Sequence, residues 1–126
     1  MTTSEQQRIE HTCSFEALPI SGIEDLQDAV AGTHLEPTLL KPGLLKGTLV
    51  HAALDRATLS SGAFRGEAHV TGPLSITNHS IGLLLETEGA NSQWSYETQA
   101  GDIGMFPPNA EHVARHGKKT HWVTMA

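Results

Sequence analysis

The sequence predicts an all-β barrel or sandwich that carries one short helix near its N-terminus. From residue 34 onward, about ten short segments rich in apolar and β-branched residues follow one another, separated by Gly, Pro, Asn and Asp. No segment after residue 33 has the apolar spacing of a crossover helix, so a parallel sheet is not expected. The chain of 126 residues is long enough for one domain with its own core. We expect residues 1–14 to form a flexible N-terminal arm and residues 15–126 to form the barrel.

Composition and charge exclude several classes of function. The 14 acidic residues outnumber the 8 basic ones and give a formal net charge of -6, whereas nucleic-acid binding relies on Lys and Arg to neutralise phosphates. We therefore expect no direct nucleic-acid binding by this chain. The N-terminal segment lacks the apolar stretch of a signal peptide, and no run is long enough to span a membrane. The single cysteine, Cys13, cannot form an internal disulfide, which favours a cytoplasmic location.

One helix is predicted, at about residues 23–31. Ser21 and Glu24 have the spacing of a capping box, in which each side chain bonds to the backbone at the other residue. Leu26 and Val30 follow at helical spacing, and Gly32 lies where a C-terminal stop is expected. The apolar stripe is narrow, so this helix should pack against the outside of the barrel.

The remaining apolar segments are predicted to be strands. Phe15 to Ile20 favours a short edge strand, and another strand ends near Leu40 in a Lys-Pro-Gly turn. Residues 48–54 and 57–61 flank Asp55-Arg56 as the two arms of a hairpin would. Further strands are predicted at residues 67–71, 74–77, 80–87, 93–97, 103–106, 112–115 and 120–125.

The segment from Gly101 to His116 carries the most specific pattern. Gly101 begins a tight turn before an apolar run, and Pro107-Pro108 ends that run because proline cannot donate to a ladder. Asn109 suits a turn with positive φ. In the extended strand that follows, His112 and His116 point to the same face.

The spacing of this segment resembles the second signature of the cupin superfamily. That signature has a glycine, five residues, a proline, one residue, a glycine, two residues, a histidine, three residues and an asparagine. Gly101, Pro107 and His112 are in register with it, Asn109 stands at its second glycine, and His116 stands at its asparagine. The resemblance implies a cupin-like double-stranded β-helix, or jelly-roll barrel.

The resemblance also raises the question of a metal. In metal-binding cupins the second signature contributes one histidine, here His112, and an earlier signature contributes two histidines one residue apart and a glutamate. Counted from Gly72, the paired positions fall on Asn78 and Ser80, so the earlier signature is absent. We expect no metal cofactor. The alternative is a divalent transition metal held by an atypical set, His79, His112 and His116.

A small-molecule pocket is the favoured kind of site. Barrels of this size can hold one ligand, and Trp94 and Tyr96 alternate onto one face of the predicted strand 93–97. We predict that Trp94, Tyr96, Met105, His112 and His116 line the pocket, although Trp94, Tyr96 and Met105 also suit an ordinary core. The sequence contains neither a nucleophile elbow nor a glycine-rich phosphate loop, so catalysis is not expected.

Over residues 15–126 the layout resembles the N-terminal sensor domain of AraC-type transcription regulators. The shared features are a polar arm, a short helix at Gly22–Gly32, a turn at Leu40–Gly43 and a run of β-hairpins. The resemblance implies a domain that binds a small-molecule effector and forms a homodimer, while helix-turn-helix units absent from this chain bind DNA. The alternative is a stand-alone small cupin enzyme, a dioxygenase or isomerase. A third possibility is a structural dimerisation module with a solid interior.

Overall fold

The computed structural model describes residues 14–30, 33–40 and 45–126, which form two antiparallel sheets and one helix. The helix, α1, spans Ile23–Ala29. In order across the six-stranded sheet lie β1 (Ser14–Ile20), β3 (Lys46–Ala53), β4 (Thr58–Arg65), β11 (Lys119–Met125), β6 (Ser80–Glu88) and β9 (Ile103–Phe106). The five-stranded sheet contains β2 (Glu36–Leu39), β5 (Ala68–Pro73), β10 (Glu111–His116), β7 (Ser92–Gln93) and β8 (Tyr96–Glu97).

The strand pairing defines a jelly-roll barrel. β4 pairs with β11, β5 with β10, β6 with β9 and β7 with β8, all in antiparallel register. This nested order is that of one long hairpin, closed between β7 and β8, whose two arms wind together around the barrel. The predicted fold class, an all-β double-stranded β-helix with one short N-terminal helix, is confirmed.

The hydrophobic core fills one end of the barrel. Its buried residues come from β1, α1, the start of β3, β4 and β5, and they are Ile20, Leu26, Leu45, Leu49, Phe64 and Ala68. The helix packs against β1 and β2 and inserts Leu26, the one fully buried residue of the helix, into this cluster. The core therefore closes the end of the barrel at which β4 and β1 finish, and we call this the closed end.

The start of the helix differs in detail from the predicted capping box. Gly22 is the N-cap residue and makes no side-chain cap. The backbone N–H and the hydroxyl of Ser21 instead donate to Asp25 Oδ2, at 2.8 Å and 2.7 Å, so Asp25 replaces Glu24 as the partner. These two hydrogen bonds lower the pKa of the Asp25 carboxyl.

Most predicted strands are confirmed, including the hairpin of β3 and β4, but two predictions are wrong. Residues 74–77 form a bend rather than a strand, because the Ser75 hydroxyl accepts the N–H of Asn78 and the Ser75 carbonyl accepts the N–H of Asn109. Residues 93–97 are not one strand, because Trp94 and Ser95 have φ of 48° and 69° and form the tight turn between β7 and β8.

The turns around β9 agree with the sequence. Gly101, with φ of 95°, precedes β9, and Asn109, with φ of 59°, follows it, so the predicted positive φ of Asn109 is confirmed.

On the neighbouring strand β6, a register shift opposite His121 and Trp122 leaves Leu85 as an extra residue in the ladder.

Some predictions lie outside the described residues. These are the arm up to Cys13, the helix stop at Gly32 and the turn at residues 41–43. Within the part of the chain that the structure describes, no helix is both long and apolar enough to cross a membrane.

The closed-end core yields a test of stability. Leu49→Ala removes a side chain that is 2% exposed and is expected to lower the free energy of unfolding by about 2–5 kcal/mol, through lost burial and the cavity left behind. The matched change Leu54→Ala, at a leucine that is 53% exposed, is expected to cost less than about 0.5 kcal/mol. Urea unfolding of both variants measures the difference, and equal losses would contradict this placement of the core.

Candidate ligand cavity between the two sheets

A cavity of about 1020 Å³ lies between the sheets and extends to the closed end, where core residues such as Leu45, Leu49 and Phe64 line it. On the six-stranded sheet, five cross-strand partners form one continuous row of lining residues: His51, Ser60, Thr124, Gly82 and Gly104. Most of these residues are small, so the row leaves space above the sheet where larger side chains would fill it. The interior is therefore not packed solid, and the volume is at the upper end of the range of small-molecule sites.

The opposite wall is built around β10. His112, Ala114 and His116 occupy alternate positions of this strand, which confirms that they share one face, and all three line the cavity. Ala114 belongs to a second cross-strand row of lining residues: Pro37, Val70, Ala114, Gln93 and Tyr96. The two imidazoles thus flank a small residue at the middle of the wall.

His112 is held as a neutral imidazole in a defined orientation. Burial lowers its pKa to about 4. Gln93 Nε2, which can only donate, lies 3.0 Å from His112 Nδ1, so Nδ1 accepts and the ring proton is on Nε2. The ring also meets Phe106 edge-on, with the ring centroids 5.4 Å apart. His112 can therefore donate a hydrogen bond through its Nε2–H.

His116 is also neutral, and one of its ring nitrogens has no partner. Burial, together with the nearby His112 and His69, lowers its pKa to about 4. Its Nδ1 is buried without a hydrogen-bond partner in the structure. Buried polar atoms normally have a hydrogen-bond partner, so His116 Nδ1 is an exception in this wall of the cavity.

Two more buried polar atoms on this cavity lack partners. Asn91 precedes Ser92, the partner of Arg115, and so lies across from His116. The Thr120 hydroxyl donates to Asn91 Oδ1 at 3.0 Å, but Asn91 Nδ2 is unpaired. The Ser80 hydroxyl is likewise buried and unpaired. All three residues with unpaired atoms, Ser80, Asn91 and His116, line the cavity.

A second anchored histidine lies on the other wall. His51 Nδ1 is 2.8 Å from the Ser60 hydroxyl on the neighbouring strand, and both residues line the cavity. This pair was not among the predicted site residues. Two signals in the sequence could have found it: the predicted hairpin turn at Asp55-Arg56, which sets the register that places His51 opposite Ser60, and the alternation that places His51 on the same face as the buried Leu49.

The predicted pocket residues are brought together with one exception. Trp94, Tyr96, His112 and His116 line the cavity, and the exposure of Tyr96, 77%, shows that the cavity reaches the surface beside the β7–β8 turn. The prediction for Met105 is wrong: it is 72% exposed on the outer face of β9, because Gly104 and Phe106 occupy the inward positions of that strand. Trp94 lines the cavity from the turn, where its indole N–H donates to the Glu111 carbonyl.

The metal alternative does not fit this structure. His79 is exposed in the loop before β6 and lines a separate shallow depression with Met105, whereas His112 and His116 line the cavity. Across residues 14–30, 33–40 and 45–126, no three His, Cys, Asp or Glu side chains are grouped so as to hold one ion. The set His79, His112 and His116 is therefore not assembled, and a catalytic transition-metal site needs about three protein ligands.

Comparison with known proteins gives structural similarity only. The sequence matches no family model and no curated protein. A cupin superfamily protein from Desulfitobacterium hafniense is similar at 14% identity, with a TM-score of 0.47 over 75% of this chain and 77% of the other. A cupin-2 domain containing protein from Shewanella frigidimarina has 11% identity and a TM-score of 0.45 over 82% and 90%.

A third similar structure is an acetylacetone dioxygenase from Acinetobacter johnsonii, at 10% identity, with a TM-score of 0.48 over 71% of this chain and 66% of the other. These structures are described as cupins or as an enzyme, at low identity and with TM-scores below 0.5. The assignment of a cupin-like barrel therefore rests on the strand pairing, and no activity follows from the similarity.

The lowered pKa values of His112 and His116 predict acid-sensitive stability. Between pH 6.5 and pH 4 the unfolded chain takes up protons that the folded chain excludes, so stability present above pH 6.5 is lost as the pH falls. We expect a loss of roughly 2 kcal/mol per histidine between pH 7 and pH 4.5.

Unfolding free energies of His116→Gln measure this contribution. The variant should lose less stability than the unmodified chain over that pH range, and His79→Gln, at an exposed histidine, should not differ from the unmodified chain. An unchanged pH dependence in His116→Gln would contradict the buried, neutral state of His116.

Proposed function

We propose that this domain binds a small molecule in the cavity between its sheets. The observation that carries the proposal is a cavity of about 1020 Å³ whose walls are mainly apolar and also include the anchored imidazoles of His51 and His112. Ligand sites commonly combine an apolar lining with a few convergent polar groups.

The state of His112 narrows the class of ligand. A neutral imidazole with its proton on Nε2 and its Nδ1 bonded to Gln93 is a hydrogen-bond donor to the ligand. Beside it, Trp94 and Phe106 form a tilted aromatic pair with centroids 5.3 Å apart. We therefore propose a ligand with an apolar body and an acceptor oxygen, such as a carbonyl, hydroxyl or carboxylate.

We further propose that the domain is the effector-binding and dimerisation part of an AraC-type transcription regulator, whose DNA-binding units lie outside this chain. The short helix before the barrel supports this proposal, as does a net charge of -6, which is unsuited to phosphate contacts. An effector would act by favouring one arrangement of the domain over another, through a difference in affinity between the two. No feature of the cavity favours the enzyme alternative, because its metal set is not assembled within the described residues.

Ligand binding is tested by thermal unfolding with matched probes. Phenyl ketones and medium-chain carboxylic acids are compared with hydrocarbons of the same size. The oxygen-containing probes are expected to raise Tm, with about 2.7 kcal/mol of stabilisation at 100-fold excess over Kd. They should also change the fluorescence of the two tryptophans, Trp94 and Trp122, which both line the cavity. Absence of any shift would contradict the binding function, and equal shifts by hydrocarbons would contradict the acceptor oxygen.

The role of His112 is tested by substitution. His112→Phe keeps a ring of similar shape but removes the donor, so the affinity for an oxygen-containing probe should fall about tenfold, as expected for one lost hydrogen bond. The control His79→Phe changes an exposed histidine and should leave affinity unchanged. Calorimetric titration of both variants gives the ratio of Kd values, and equal affinities would contradict the contact.

The full reading frame of the gene tests the regulator assignment. A reading frame that continues beyond Ala126 into basic, helical sequence with two helix-turn-helix units is expected. A frame that stops at Ala126 would contradict the regulator assignment while leaving the binding function intact.

A further inference from the structure

The outer face of the six-stranded sheet carries an unbroken row of apolar side chains. Direct cross-strand partners from all six strands make up this row: Phe15, Ala52, Leu59, Met125, Ile81 and Met105. The row ends in the two most exposed members, Phe15 and Met105, each 72% exposed, and the three large side chains between them are 38–46% exposed. Soluble monomers rarely expose apolar side chains in a continuous patch of this kind.

A second row lies two residues along each strand and is apolar at five of its six positions. Its members are Ala17, Val50, Ser61, Val123, Leu83 and Ile103, and Ile103 is 68% exposed. Neither row contains a charged residue. We call the two rows together the apolar sheet face.

A charged border lies towards the closed end. There, Lys46, Arg65, Lys119 and Glu88 are cross-strand partners in one row. Nearby, Lys119 Nζ lies 2.6 Å from Glu86 Oε1 in an exposed ion pair. An apolar centre with a charged margin is the usual arrangement of a protein–protein interface.

We propose that the apolar sheet face is the contact through which two copies of this chain form a twofold dimer. Six strands about 4.8 Å apart make the sheet about 24 Å wide, and all of them except the short β9 have seven to nine residues, or about 24–30 Å of length. Corrugation by side chains raises the accessible area of this whole sheet face, of which the two apolar rows are part, towards the roughly 800 Å² per partner that stable dimers bury. Two such faces pack at about 10 Å with their strands nearly aligned, as in a β-sandwich.

A second copy is the occupant whose chemistry matches the face. In a twofold dimer each patch meets its own copy, so an uncharged apolar strip meets an uncharged apolar strip. Residues 1–13 are a poor alternative, since among them only Met1, Ile9 and Cys13 are apolar, against eleven apolar positions in the two rows. This interface gives a location to the dimer in the proposed regulator, and it is tested at Ile81, which does not line the cavity.

Light scattering after size-exclusion chromatography tests the interface. The unmodified protein, at micromolar concentration, should have twice the chain mass of 13.5 kDa. Ile81→Glu places one carboxylate from each copy within the apolar contact and should weaken the dimer at least about 100-fold, giving the monomer mass. The matched control is Ile76→Glu, because Ile76 lies outside the apolar sheet face and is 47% exposed against 43% for Ile81. This control should remain dimeric, and circular dichroism should show that both variants are folded.

Three outcomes would overturn the proposal. These are a monomer mass for the unmodified protein at every concentration, a dimer that survives Ile81→Glu, and a dimer that appears only after residues 1–13 are deleted. The last outcome would mean that the N-terminal segment occupies the face. Ile81→Glu should still respond to the oxygen-containing probes, and His112→Phe should still dimerise, so failure of the interface and failure of the ligand site are distinguishable.

Discussion

Side-chain volume inside the barrel is unevenly distributed, and the rest of the structure depends on this. At the closed end, Leu45, Leu49 and Phe64 pack with Leu26 of the helix and bound the cavity on that side. On β6, β9 and β10 the inward positions include Gly82, Gly104 and Ala114, which leave the space between the sheets open. Because interiors are otherwise close-packed, such a gap survives only where the surrounding strands are well anchored, and here the nested pairing of β4 to β11 anchors them.

Two histidines anchored through Nδ1 give the cavity its polarity. His112 is fixed from β7 and His51 from β4, so each ring is oriented by a neighbouring strand rather than by a loop. Residues supported in this way lose little conformational freedom when they bind, since their rotamers are already restricted. The buried imidazole of His112 is also kept uncharged, which makes an apolar lining and a hydrogen-bond donor compatible in one site.

The sequence was sufficient to predict the fold class, because turns at regular intervals and the absence of late helical spacing have few other interpretations. It also predicted the shared face of His112 and His116, since period-2 alternation is a local property. It failed at residues 93–97, where the positive φ of Trp94 contradicts the usual preferences of tryptophan.

The pair Asn91–Thr120 was beyond sequence reasoning for a different reason. Its partners belong to different segments and are 29 residues apart in the chain. Such a contact exists only after the register between distant strands is set. The side on which Met105 lies likewise depends on the strand register, which places Gly104 and Phe106, its neighbours in β9, on the inward face.

The extra residue Leu85 in β6 determines on which side of the sheet the charge of Glu86 lies. Without it, regular alternation from the Leu84–Trp122 pair would place Glu86 beside the buried Thr120, inside the barrel. The bulge instead puts Glu86 opposite His121 on the outer surface, where it reaches Lys119. One irregular step in a ladder thus keeps a carboxylate in water and preserves an uncharged interior along the rest of β6.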